Sequence, residues 1–183
     1  MNPTTPTEII NYWYSDSIRK HWFSSTPELD KEIKQKYEQL WIEAAKGEHD
    51  DWAKSAEGSL ALIIILDQFP LNMYRGEMRS FQTEAKAIEV ALSAIDKAHD
   101  KELSKEHLSF LFMPLMHSEN IKHQDLSVML YRKYELKGSI EFAEHHREIV
   151  KKYGRFPHRN QILGRESTAM EIEYLNSPYA FKG

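Results

Sequence analysis

A chain of 183 residues that is 41% hydrophobic and 11% aromatic has apolar volume for a self-sufficient core, so residues 1–183 are predicted to form a single all-helical domain needing no metal or crosslink. The absence of cysteine excludes disulfides, thiolate nucleophiles and sulfur-ligated metals, and fits a reducing compartment. A net charge of −4, with 24 Lys and Arg spread along the chain, argues against nucleic acid or a membrane surface as partner; with no bilayer-length apolar run and no leader at the N-terminus, the expected location is cytoplasmic.

Seven Gly and seven Pro fall mostly where helices start or stop, which predicts an all-α fold. Thr5-Pro6-Thr7-Glu8 has the spacing of a capping box, and Ile9, Ile10, Trp13 and Tyr14 follow on one face. A second helix is predicted from Thr26-Pro27, with a stripe of Leu29, Ile33, Tyr37, Leu40, Trp41 and Ala44 and a stop at Gly47. Leu60 to Leu66 is apolar on every side and predicts a central, fully buried helix. Phe69-Pro70 is read as its end, since a residue before proline is pushed out of helical geometry. Thr83 and Ser104 are placed to cap the next two helices, the second kinked by Pro114. Further helices are expected from about 120 to 136, closed by Gly138, and from about 139 to 153, closed by Gly154. A second capping box, Thr168 to Glu171, opens a short last helix. These make seven to nine helices in an array or bundle.

Two segments interrupt this pattern and resemble each other: Asp67 to Gly76 and Gly154 to Arg165. Each has Phe-Pro after a helix, then Asn, then Arg beside Gly. If the two turns face one another, Asn72, Arg75, Arg79, Arg155, Arg159, Asn160 and Arg165 offer guanidinium forks and amides to a carboxylate or phosphate. The competing reading is that they fasten the turns by satisfying helix-end carbonyls. A third segment, Met113 to Glu119, adds His117, Ser118 and Glu119. His117 and Ser118, being adjacent, are poorly aimed to act as a nucleophile pair. Glu119 with His123, and Glu141 with His145, share helical faces but lack the spacing of a strong metal motif, so no metal and no cofactor are expected. His21, His49, His99 and His107 read as solvated.

In these three segments the chain resembles a bacterial family known as domain of unknown function 924, through LDQFPLNMYRG, PLMHSEN and GRFPHRNQILGRES. The resemblance runs from the first helix to about Leu175, with Leu71 where the family has Arg. It implies an all-α, tetratricopeptide-like helical array and no particular activity.

Three functions stay open. The first is a helical binding module with an Arg- and His-lined pocket, including Glu119, for an anionic small molecule or peptide. The second is a small hydrolase or transferase with His117 or His158 as general base and Asp67 orienting a histidine. The third is a structural or protein-interaction role. The aromatic segment Tyr174 to Phe181 is expected to dock on its own body, with docking on another copy in a homo-oligomer as the alternative.

Overall fold

The computed structural model describes residues 4–183, and no strand occurs among them. Two compact units are distinguished, one ending at Pro114 and the other running from Leu115 to Gly183. No helix among the described residues is long and apolar enough to cross a membrane.

The first unit begins with α1 (Pro6–Trp13), where Thr5 and Glu8 form the predicted capping box. It continues through the short α2 (Asp16–Arg19) and α3 (Pro27–Lys46), capped by Thr26 and closed by Gly47 in the left-handed region. Then come a 3-10 turn (Asp50–Lys54), α4 (Ala56–Ile63), a π-helical turn (Ile64–Gln68) and α5 (Phe69–Met73). The unit is completed by α6 (Glu84–Asp96) and α7 (Lys105–Leu111). Leu60 to Leu66 is the centre of the core: all seven residues are inaccessible to solvent, and α4 packs against α1, α6 and α7.

Phe69-Pro70 does not end the central helix. Phe69 keeps helical dihedrals (φ −60°, ψ −45°), and the chain passes from α4 to α5 without a break. The π turn is the reason: Phe69 N–H bonds back to the Ile64 carbonyl, five residues away, which widens the helix just before the proline. Pro70 has no N–H for the carbonyl four residues back, Leu66. The hydroxyl of Thr83 donates to that oxygen at 2.5 Å and accepts from Trp41 Nε1 at 2.9 Å. Thr83 therefore serves the core and makes no side-chain cap on α6, contrary to its sequence reading.

The second unit holds α9 (Ile121–Lys133) and α10 (Lys137–Tyr153), packed along each other, and α11 (Ala169–Leu175). The boundary between units falls inside α8 (Met113–His117), which follows α7 after Phe112. Gly138 does not close α9 as predicted; it lies in the first turn of α10. The closing residue is Glu135 at φ +53°, with Leu136 N–H reaching back to the Tyr131 carbonyl. The described residues form eleven α-helical segments, α4 running into α5 through the π turn, which makes the fold all-helical. Ile149, Val150 and Phe156 form the core of the second unit, with Tyr153, Tyr174 and Phe181 packed against them.

Candidate functional site

Asp67, Asn72, Arg75 and Arg79 lie in the first unit. Asp67 is buried and accepts from Gln68 Nε2. Asn72 donates to the Gln68 carbonyl at 2.9 Å and accepts from Arg75. Arg75 is paired with Asp30 at 2.8 Å. Arg79 lies 4.2 Å over the Tyr74 ring and 5.0 Å over Trp41, 3.5 Å from Glu38. Each side chain here meets a local partner, and helix runs on through Phe69-Pro70 to Met73 before the chain turns at Tyr74 to Gly76.

The second Phe-Pro segment is a true turn. Phe156 is extended (φ −91°, ψ 107°), its ring is fully buried, and Pro157 opens a single 3-10 turn to Arg159. Gly154, at φ +73°, caps α10 and swings the chain out of the helix. Two carboxylates fasten the loop beyond that turn. Glu119 takes a bidentate pair from Arg165 at 2.6 and 2.9 Å and the Phe156 N–H at 2.8 Å. Glu171 takes a bidentate pair from Arg155 at 2.7 and 2.8 Å and the Thr168 N–H at 2.7 Å. Asn160 accepts from Arg165 and donates to Ser167. The surplus of cations expected here is thus reduced, because Glu119 and Glu171, distant in sequence from the arginines, fold back onto them.

These contacts set the acidities. Burial pushes the Glu119 carboxyl up, but the hydrogen bonds from Arg165 and the Phe156 N–H outweigh it and hold the group below the usual carboxylate range. Glu171 is pushed down to about 2, first by the Arg155 hydrogen bonds.

Around Phe156 the unit gathers a second set of polar side chains. Arg159 is buried, its guanidinium stacked 4.6 Å from the Phe156 ring while Nη2 donates to the His117 carbonyl at 2.9 Å. His146 and His158 rings lie 5.5 and 5.7 Å from that of Phe156. His146 Nδ1–H donates to the Phe142 carbonyl at 2.7 Å, leaving Nε2 unprotonated in the neutral ring. His158 Nδ1 is buried with no hydrogen-bond partner among the described residues. Burial, then the charge of neighbouring His117, pushes His146 down to about 3; burial, then the charge of Arg159, pushes His158 down to about 4.

His146 escaped the sequence reading, yet its signal is present: it interrupts the buried face of α10 between Ala143 and Ile149, one turn from each. Ser118 pairs with His123 at 2.9 Å, so it is partnered outside the pair weighed with His117. His99 is also misplaced by its polar neighbours in sequence: it is buried, with Nδ1 3.0 Å from the Ser59 hydroxyl. The segment after α11 docks on its own unit through Phe181, while Tyr179 stays exposed. No group of three or more potential metal ligands is gathered among the described residues.

A family model described as bacterial protein of unknown function (DUF924) matches residues 9–179. A solved structure of a protein of unknown function from Agrobacterium tumefaciens is similar, with 35% identity over 93% of this chain and 96% of that one and a TM-score of 0.86. No curated protein matches the chain.

Proposed function

We propose, from the premise that the chain belongs to the bacterial DUF924 family, that its second unit binds an anionic small molecule or peptide through Arg159, His117 and His158, with His146 alongside. The observation that carries this reading is His158: a buried imidazole nitrogen without a hydrogen-bond partner among the described residues, in the field of the Arg159 charge, which the Glu119 carboxylate, paired with Arg165, only partly opposes. A buried polar atom left unpaired costs stability, and a carboxylate or phosphate oxygen, once the neutral ring places its proton there or gains a second one, is the acceptor that such a nitrogen lacks. Burial is the main reason these rings stay uncharged, and the same anion offsets the smaller repulsion from Arg159 and His117. Arg155 and Arg165, which were candidates for the same role, support the site by pinning the loop that carries Arg159.

A general-base role is less well supported, because an imidazole pushed down to about 4, as His158 is, is a weak base at neutral pH.

The test is a thermal-shift and calorimetric titration with inorganic phosphate and with dicarboxylates. A ligand that binds only the folded state raises Tm with concentration, by an amount set by its Kd. Arg159→Lys keeps the charge but loses the planar fork, so apparent affinity should fall at least about tenfold and the rise in Tm should shrink with it. No stabilisation of the wild-type protein by any of these anions would discard the reading.

A further inference from the structure

The space beside the imidazoles is occupied by the chain itself. The Phe181 ring lies 4.5 Å from that of His146, 5.0 Å from that of His158 and 6.2 Å from that of His145, all at steep angles. Gly183 follows so closely that a Cβ there would stand 3.2 Å from His158 Cδ2 and 3.3 Å from Nε2. Phe181 also packs on the apolar cluster of Ile149, Val150 and Phe156, while the backbone around it is held by few hydrogen bonds. Phe181 N–H donates to the Tyr174 hydroxyl at 2.9 Å, Ala180 N–H reaches the Ser177 carbonyl at 3.3 Å, and Tyr179 is 83% exposed. One aromatic ring, set between the imidazoles and the edge of that apolar cluster, anchors the stretch.

We propose that Phe181 occupies the place of a ligand's ring, so that the site accepts an anion carried on an aromatic body and Tyr179–Gly183 is its displaceable internal competitor. This rests on the anion-binding reading above and adds the class of ligand. The cradle is shaped for a ring: His145, His146 and His158 meet Phe181 edge to face, and the Phe156 ring closes the floor beneath His146 and His158. The His158 ring that meets Phe181 carries a buried Nδ1 without a hydrogen-bond partner among the described residues, and the Arg159 guanidinium lies over the Phe156 ring that both His146 and His158 adjoin. A ligand with both parts repeats the ring contacts and adds an acceptor for the nitrogen that Phe181 leaves unpaired. An intramolecular segment competes at high effective concentration, so it lowers the apparent affinity of any ligand by the fraction of time the cradle is open.

The experiment compares phenyl phosphate with inorganic phosphate on the full chain and on Phe181→Ala, by calorimetry and by the ring-proton shifts of His146 and His158. Phenyl phosphate should bind the wild-type chain more tightly than inorganic phosphate, and Phe181→Ala should tighten it about tenfold further, the scale set by burying one ring. In the wild-type spectra phenyl phosphate should also alter the ring-current shifts that Phe181 imposes on both histidines. Met129→Ala, at an exposed side chain of α9, should leave the affinity unchanged. Equal phenyl phosphate affinity in wild type and Phe181→Ala would overturn the competitor while leaving anion binding standing. Tightening by Phe181→Ala for inorganic phosphate alone would overturn the aromatic class. Binding of neither probe to either chain would remove both this inference and the reading beneath it. Should Phe181→Ala fail to fold, Phe181→Leu keeps most of the volume and removes the aromatic contacts, and the same comparisons apply.

Discussion

Glu119→Ala should lower the stability of the second unit by about 3 kcal/mol in urea or thermal unfolding, and Glu119→Gln by about 1–2 kcal/mol. The carboxylate accepts three donors from two places in the loop, two from Arg165 and one from the Phe156 backbone. Its removal strands a guanidinium that is only 24% exposed. Because both partners keep about a quarter of their surface in water, the loss stays at the lower end of the range for a broken buried pair. The glutamine variant keeps one acceptor and loses the charge. The pH dependence gives an independent check. Glu119 and Glu171 have folded-state pKa values below the unfolded 4.5, so their contribution is complete above 4.5 and is lost as pH falls, through about 2 for Glu171. His146 and His158, at about 3 and 4 against 6.5 unfolded, act in the same direction: the unfolded chain takes up protons that the folded chain refuses, so stability declines below about 6.5. Tm should therefore fall monotonically from about pH 6.5 to about pH 3. Glu119→Ala should flatten the portion below 4.5 and leave the histidine portion unchanged. A Tm that holds constant over this span would contradict the described geometry.

The helices were legible because their signals are local. Thr5 with Glu8, Thr26 with Gly47, and Thr168 with Glu171 state their own boundaries, and the stripe from Leu29 to Ala44 states which face is buried. The two Phe-Pro segments were not equally legible, because they are nearly alike for several residues and fold differently. At Phe156 the preceding Gly154 has already ended α10, so the proline meets a chain that has left the helix. At Phe69 nothing ends α4, the surroundings are fully buried, and the helix widens into a π turn to accommodate Pro70. That difference depends on Thr83 reaching Leu66, a contact between residues 17 apart which no local pattern specifies. The candidate site shows the same division. Arg159 and His158 are visible as polar residues at a helix break, whereas the acids that occupy Arg155 and Arg165 come from 16 and 46 residues away. Sequence spacing gives no measure of which cation a distant carboxylate will take.

Two glycines in helices should respond oppositely to alanine, and the contrast separates backbone propensity from packing. Alanine is favoured over glycine in a helix by up to about 1 kcal/mol, which by itself predicts stabilisation at both. At Gly138, in the first turn of α10, an added Cβ meets nothing within 4 Å, so Gly138→Ala should gain about 0.5–1 kcal/mol. At Gly58, in the first turn of α4, the same Cβ would overlap the Trp52 carbonyl oxygen and stand 2.7 Å from its carbon. These are backbone atoms of the 3-10 turn packed on α4, and they have no rotamer with which to yield. Relief requires moving that turn or the start of the helix, where Gly58 N–H also bonds the Ser55 hydroxyl at 3.1 Å. Overpacking of this kind costs about 3 kcal/mol, several times the propensity gain, so the net sign is a loss. Urea unfolding of the two variants should place their midpoints on opposite sides of the wild-type value. A stabilised Gly58→Ala would mean that the turn from Asp50 to Lys54 does not approach α4 as closely as described, because no propensity term is large enough to absorb a contact of that length.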